Sequence, residues 1–480
     1  MLVLALESST SAAKALVYDT KKGIVAEDSR SYPTSIGSNG KLDTETVFQT
    51  TLEVGRTIAA NMDIAAVAVS GVWHSVAICD SSMKPVTPTY MWTFTEAGEV
   101  CRQIRSDKQL AKQIYTETGC MPNITYQPYT IRHLIENGLN LKDKLFCSQA
   151  GYNFYHMTGE WLETASIVSG MGLLCVHTRS YSDAAFEIMR VKKQQWAPLC
   201  DYRDTHPLHA DCAAFLGIPA GIPVVPPHAD GALNQIGNGA IRPGRMTFSV
   251  GTSAAIRLST NTPILSDPPA TWCYAGVKDW ISGAATAGSC NCINWFKESA
   301  LQNKWSFKEL ESTFCVPNHK TPVFLPFLFG ERCPGWRDER RGSFLELDES
   351  TTIPDIFQGI CEGILFNIYH CYHILTKLSG IPEKIIMSGG ILNSPLWSQM
   401  AADIFGREIV LSQTPQTSLL GGAVLAMHAA GALKNLEDYM DPSDTLCSPQ
   451  SDAHEAYTEK FERYLSFYHQ QKTSELDERG

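Results

Sequence analysis

The feature that most constrains this chain is a five-residue turn that occurs twice. Ser9-Thr10-Ser11-Ala12-Ala13 returns as Gly251-Thr252-Ser253-Ala254-Ala255. Each copy follows a short apolar strand, Leu2 to Leu6 and Met246 to Val250. Each leads into a second apolar stretch with one basic residue, Lys14-Ala15-Leu16-Val17 and Ile256-Arg257-Leu258. Strand, small hydroxyl-rich turn, strand suits a phosphate-gripping hairpin: small side chains let backbone amides approach the oxygens, and the hydroxyls add donors. Gly, Ser and Thr favour ordinary turns as well, so either copy alone is weak. Two copies in separate halves of the chain point to two related lobes sharing one cleft, and to a nucleotide-dependent phosphotransferase or ATPase.

A chain of 480 residues is too long for one hydrophobic core and predicts two or three domains. The net charge of −11 argues against nucleic acid as a main partner, because phosphate-backbone binding needs a basic surface. A local pocket can still oppose the global charge and take an anion. No basic region precedes Leu2 to Leu6, which is too short for a signal peptide, and no stretch approaches the ~20 apolar residues of a membrane span. The fifteen cysteines are scattered, and Cys290-Asn291-Cys292 lacks a partner pair or nearby histidine to complete a zinc set. The expectation is a cytoplasmic protein with reduced thiols and no membrane partner.

The first ~75 residues predict a mixed sheet: strands 2–6, 14–18 and 64–69, with a helix near 44–61. From about 95 to 215 the pattern is more helical. Gly221 to Val225 reads as a short buried strand running into Pro226-Pro227. The β-rich pattern then restarts with strands 246–250, 255–259 and 280–282. Helices near 354–379 and 394–405 follow, separated by the strand Lys384 to Met387. A boundary near 236–244 gives an N-terminal lobe over 1–240 and a C-terminal lobe over 241–440. A polar tail, 441–480, holds a terminal helix from Ala453 to Gln471 and a frayed end.

Several segments, in this order, resemble the FGGY carbohydrate kinases, most closely the gluconate and xylulose kinase branch. They are the first turn, Trp73-His74-Ser75, Trp92, His228-Ala229-Asp230-Gly231, the second turn, Gly330-Glu331-Arg332-Cys333-Pro334, Ser388-Gly389-Gly390 and Leu420-Gly421-Gly422-Ala423. The resemblance runs from Leu4 to about Gly431. It implies an α/β protein with the actin-like ATPase (ribonuclease H-like) fold. Two lobes, each a mixed β-sheet flanked by helices, would hinge around a central cleft for ATP and a sugar or polyol.

Asp230 follows a buried strand and precedes Gly231, so its carboxylate should face the cleft or cap the following helix. The resemblance makes it the catalytic base that accepts the hydroxyl proton of the acceptor. Glu7 stands where the family has an aspartate that helps hold Mg²⁺; the extra methylene alters the metal geometry. Ser9 replaces a glycine and would crowd the phosphates or force a different turn. Thr10, Ser11 and Lys14 remain on the phosphate side, with Gly251, Thr252 and Ser253 from the intact second turn. Gly389 and Gly390 end a strand where backbone can approach a nucleotide. The resemblance places the adenosine pocket there, with Asn393 nearby and Gly421 in a partner loop.

His74 and Trp92 are the candidates for substrate contact, the histidine as a donor to hydroxyls and the indole as a flat face for C–H groups. Phe94 and Glu96 replace the family's Asp and Arg after that tryptophan, and Thr130 and His133 replace a Lys and a Trp. Loss of an arginine and gain of a carboxylate disfavour an anionic acid, against the branch the rest resembles. Glu331 and Arg332 read as a structural ion pair at the lobe interface. The combined expectation is an ATP- and Mg²⁺-dependent kinase for a terminal hydroxyl of a sugar, sugar acid or polyol. Homodimers would follow from the family. Two alternatives stand beside it. One is a non-catalytic sugar- or nucleotide-binding protein, prompted by Glu7, Ser9, Phe94 and Glu96 on the functional surfaces. The other is an actin-like ATPase acting on a protein partner.

Overall fold

The computed structural model describes residues 1–316, 318–414, 416–440 and 445–477. Seven-residue β1 (Leu2–Ser8) is buried on both faces, because its alternating side chains meet two different layers. Leu4 and Leu6 join the large cluster that includes Val47 and Leu52 of α1 (Thr44–Ala59). Val3 and Ala5 face a second cluster with Leu419, Ala423 and Val424. The N-terminal sheet continues with β2 (Ala12–Asp19), β3 (Gly23–Ser31), β4 (Ile64–Gly71), β5 (His206–Pro207) and β6 (Pro223–Ala229), in the order β5-β6-β4-β1-β2-β3. β6 runs through Pro226-Pro227 instead of stopping there. The prolines have no N–H to give, and the pairing with β4 shifts register between Val225 and His228.

The C-terminal sheet repeats this plan. Its strands are β7 (Arg245–Val250), β8 (Ala254–Thr260), β9 (Trp272–Ala275), β10 (Trp280–Thr286), β11 (Lys384–Gly389), β12 (Ile409–Leu411) and β13 (Thr445–Cys447), ordered β9-β10-β8-β7-β11-β12-β13. In both sheets an antiparallel hairpin is followed by two parallel strands: β3-β2-β1-β4-β6 in one lobe and β10-β8-β7-β11-β12 in the other. The repeated turn therefore marks a repeated fold. It is the ribonuclease H-like arrangement that the resemblance implied.

Helix α2 (Asp230–Gly237) leaves the N-terminal sheet, and α3 (Ile353–Ser379) backs the C-terminal one. Helix α4 (Thr417–Ala429) belongs by sequence to the second half, yet it lies against β1 and β4 of the first sheet and crosses α2. The chain thus laces the lobes together. The terminal helix α5 (Ser451–Asp477) is longer than the expected 453–471 and buries Tyr457, Phe461, Tyr464 and Tyr468. Residues 441–444 and 478–480 of the expected tail lie outside the described residues. Among the described residues, no helix is long and apolar enough to cross a membrane.

Candidate active site

Register places the candidate residues. Glu7, Ser70 and His228 pair across β1, β4 and β6, and the next rung is Ser8, Gly71 and Ala229. Asp230 lies one residue beyond that rung, and Trp73 and His74 follow β4 by two and three residues. All sit at the carboxyl ends of parallel strands, where an open α/β sheet leaves a crevice.

Asp230 opens α2 and accepts the N–H of Gly231 on Oδ1 at 2.7 Å. A helix N-terminus favours a carboxylate, but burial outweighs it here. Burial pushes the Asp230 carboxyl up to about 6, with the charge of Glu7 adding to the rise and Arg257 opposing it. One carboxylate therefore feels Glu7 and Lys14 from the first lobe and Arg257 from the second. Glu7 is 2 % exposed and pairs with Lys14 through Oε1 at 3.2 Å, while its Oε2 is buried without a partner. Lys14, directly opposite in the β1–β2 ladder, is thereby held at the first turn.

The two turns differ in detail. Ser9 donates both its N–H (3.0 Å) and its hydroxyl (2.7 Å) to the Ala12 carbonyl, so the side chain closes the turn on itself. Both Ser9 donors are thus used within the turn. Thr10 and the exposed Ser11 remain at the tip. In the second turn Gly251 bonds to the Ser253 carbonyl at 2.9 Å, and Thr252 is exposed. Val250 is paired with Gly389, whose φ of +97° suits glycine, and a Cβ there would lie 2.4 Å from the Val250 carbonyl oxygen. Gly251 and Gly389-Gly390 are thus neighbours at the carboxyl ends of β7 and β11. Asn393 ends the short turn after them and is exposed.

Gly421 belongs elsewhere. A Cβ on it would lie 2.0 Å from the carbonyl oxygen of Leu233, so it permits the close crossing of α2 and α4 and does not open a nucleotide loop. Trp92 donates Nε1–H to Thr10 Oγ1 at 2.9 Å, tying its indole to the first turn. Phe94 is fully buried against Tyr90 and His133, and Glu96 pairs with Lys41 at 2.9 Å and faces His133 at 3.7 Å. These two departures from the family pattern, together with His133, form one packed group. Phe94 is therefore a core residue and not part of a surface, while Glu96 stays exposed.

A second indole, Trp73, follows β4. It donates to the Ser166 carbonyl at 2.7 Å and lies edge-on to Tyr274 and Trp272 from the opposite lobe, at 4.9 and 5.9 Å. A Cβ on Gly231 would sit 2.0 Å from its ring, so the residue after Asp230 must be glycine for this packing. His74 is buried beside it and bonds through Nδ1 to the Gly170 carbonyl; burial, then the positive charge of Arg332, keeps it well below the usual histidine range and neutral. Tyr126 and Tyr274 join hydroxyls across the lobes at 2.7 Å.

Two guanidiniums complete the wall. Arg257 lies 5.9 Å from the Trp73 ring and donates to Ser249 Oγ at 3.0 Å, with Nε unpartnered. Arg332 lies against Tyr274 and Tyr126, also with Nε unpartnered. The expected Glu331–Arg332 pair does not form: Glu331 binds Arg340 at 3.0 Å. Among the described residues neither Arg257 nor Arg332 has a carboxylate at ion-pair distance. Sequence reasoning missed both as site residues, along with Trp73. The signals were present, since Arg257 is the basic residue after the second turn and Trp73 adjoins His74.

The N-terminal domain model of the FGGY family of carbohydrate kinases matches residues 2–237, and its C-terminal domain model matches 246–430. A gluconokinase of Bacillus subtilis is 24 % identical over 92 % of this chain and 90 % of its own length. A xylulose kinase of the same organism is 23 % identical over 97 % and 96 %. Among solved structures, a ligand-bound xylulose kinase from Lactobacillus acidophilus superposes with a TM-score of 0.92 at 24 % identity, covering 98 % of this chain and 99 % of that one. A gluconate kinase from the same organism gives 0.90 at 24 %, covering 97 % and 98 %. The fold is that of the actin-like sugar kinases, and the chain belongs to the FGGY family of carbohydrate kinases.

Proposed function

We propose that this carbohydrate kinase transfers the γ-phosphoryl group of ATP to a terminal hydroxyl of an open-chain sugar acid of the gluconate type. The observation that carries the reading is the half-buried carboxylate of Asp230 at the head of α2, which feels Glu7 and Lys14 of one lobe and Arg257 of the other. Phosphoryl transfer asks the protein for position and charge neutralisation more than for covalent chemistry. Asp230 would accept the acceptor's hydroxyl proton and aim the oxygen. Thr10, Ser11, Lys14 and the amides of Gly251 to Ser253 would grip the phosphates, and the edge at Gly389, Gly390 and Asn393 would receive the adenosine. Magnesium, when bound with the nucleotide, supplies neutralisation of phosphate charge. Glu7 fits a role beside it, because Lys14 occupies one carboxylate oxygen and the other is buried without a partner.

The acceptor class follows from charge. Names of relatives leave gluconate and xylulose equally open. Burying a cation is costly unless a counter-charge arrives. Among the described residues Arg332 has no carboxylate at ion-pair distance and faces the phenols of Tyr126 and Tyr274 and the neutral His74, while Arg257 feels Asp230 at longer range, so an acceptor with its own carboxylate supplies what Arg332 lacks. Glu96, which argued against an acid, has its charge paired with Lys41. The departures that prompted a non-catalytic reading are placed likewise: Phe94 in the core, Ser9 closing its own turn.

The test is ADP release with Mg-ATP over gluconate, xylulose, ribulose and glycerol. Gluconate should stimulate most, and Asp230→Asn should lower kcat roughly 100- to 10,000-fold. Arg332→Gln should raise the gluconate KM roughly 10- to 100-fold, as expected for a lost charge-assisted hydrogen bond, with little effect on glycerol. A neutral ketose as best acceptor would overturn the acid assignment. Full turnover by Asp230→Asn would overturn the role of the base. Tight ATP binding with no turnover on any acceptor would return the chain to the non-catalytic reading.

A further inference from the structure

The loop that carries Arg332 is gripped on its other side by the C-terminal helix. Glu331 Oε1 accepts the N–H of Gly335 at 2.9 Å and the hydroxyl of Tyr468 at 2.6 Å, and Oε2 accepts Arg340 Nη1 at 3.0 Å. Arg340 is wholly buried between the rings of Phe327 and Tyr468, at 4.3 and 4.2 Å, and donates Nη2 to the Tyr468 carbonyl at 2.7 Å. Both members of a buried ion pair are thus held by one residue of α5.

That residue is itself fixed. Tyr457, Phe461, Tyr464 and Tyr468 recur at helical spacing and are buried on the α3 side. Lys460 adds bonds to Glu362 at 2.8 Å and to Thr321 at 2.5 Å. A buried ion pair is a poor way to add stability, since desolvation offsets most of the attraction, and its better-attested use is to impose one geometry. Here the geometry is specific. Glu331 pairs as an extended bridge with Arg337, and in extended chain successive side chains point to opposite sides. Glu331 points toward α5, and Arg332 points to His74, Tyr126 and Tyr274. The next residue is also tied, Cys333 N–H to the Ala285 carbonyl at 3.1 Å.

We propose that Tyr468 is a positioning residue for the acceptor site: by holding Glu331, the C-terminal helix sets the Arg332 guanidinium that receives the acceptor's carboxylate. This rests on the acceptor role given to Arg332 above. The variants are Tyr468→Phe, Arg332→Gln, their double, and Tyr464→Phe, which removes a buried hydroxyl without a partner from the same helix face. Tyr468→Phe should raise the KM for gluconate roughly 3- to 10-fold, the range of one hydrogen bond to a charged group, with the ATP KM and kcat within about twofold. Tyr464→Phe should change none of them. In the Arg332→Gln background, Tyr468→Phe should have no further effect on the gluconate KM.

A Tyr468→Phe variant that loses melting temperature but keeps its gluconate KM overturns the inference, as does an effect of equal size with Arg332 absent. Failure of Arg332→Gln itself to raise the gluconate KM overturns the acceptor reading and this inference with it. Failure confined to Tyr468→Phe overturns the inference alone.

Discussion

Asp230 and Glu7 share a water-poor cleft, so each negative charge makes the other harder to form. Burial, then Glu7, raises the Asp230 carboxyl to about 6. Its proton-accepting form is the carboxylate, so kcat/KM should rise with pH through about 6 and fall off on the acid side. Glu7→Gln removes the neighbouring charge and should move that acid limb to lower pH; an unmoved limb in the pH–rate profile would sink the coupling. Glu163 is a different case. Its Oε1 accepts the Ser148 N–H at 2.6 Å, its Oε2 is buried without a partner, and burial raises it to about 7. The folded value lies above the unfolded one of about 4.3. Its favourable contribution is therefore complete below the unfolded value and lost as pH rises through about 7. Glu163→Gln should stabilise the protein by about 1–3 kcal/mol at pH 8 and do little at pH 5. Thermal unfolding at the two pH values checks this.

Helices matter here for what they carry to the cleft. α2 brings Asp230, and its seat is the crossing with α4, where Gly421 leaves no room for a side chain above the Leu233 carbonyl. Gly421→Ala would push the helices apart, costing about 1–3 kcal/mol, the range for overpacking a core. Because α2 moves with the crossing, the same variant should lower kcat; full turnover after a clear loss of melting temperature would separate packing from positioning. The sequence marked both glycines of the Gly421-Gly422 pair correctly as special but not what they face. That depended on α4 lying under a sheet formed by residues 2–229, a pairing no local pattern encodes. Phe94, Glu96 and His133 teach the same lesson. Read singly against a family pattern they are three departures, Phe94 and Glu96 on an expected functional surface, yet in space they are one group packed with Lys41 and Tyr90.

Across the molecule, the lobes meet through polar contacts as well as aromatic ones. Asp338, in the same loop as Arg332, accepts Arg105 at 2.7 Å and Asn123 at 2.8 Å from the N-terminal half. Tyr115 bonds Ser266, and Cys273 N–H bonds the Gly119 carbonyl at 3.1 Å. Lobe closure excludes water that would compete as phosphoryl acceptor. Asp338→Ala should therefore raise the KM of ATP and acceptor together, roughly two- to tenfold, as the lobe-to-lobe contact weakens. A rise confined to the acceptor would instead mean that Asp338 acts through its loop. Steady-state kinetics with each substrate varied in turn distinguishes the two.

Periodicity and turn chemistry are local properties, and they carried the architecture. Short apolar runs marked the strands, the two hydroxyl-rich turns marked two lobes of one plan, and His228-Ala229-Asp230-Gly231 after a buried strand placed a carboxylate at a strand end. Side-chain partnership is not local. Glu331 and Arg332 are adjacent in the chain, so a pair between them was the natural reading, but extended backbone sends them to opposite sides. Glu331 meets Arg340 and Tyr468, while Arg332 meets His74, Tyr126 and Tyr274. Trp73 and Arg257 reach the cleft, and Trp92 turns to Thr10, for the same reason. The sequence by itself determined the fold, the family and the carboxylate of Asp230 at a strand end. Only the tertiary structure decided which charged side chains meet Trp73, His74 and the interlobe tyrosines, because that depends on residues more than a hundred positions apart converging where two lobes meet.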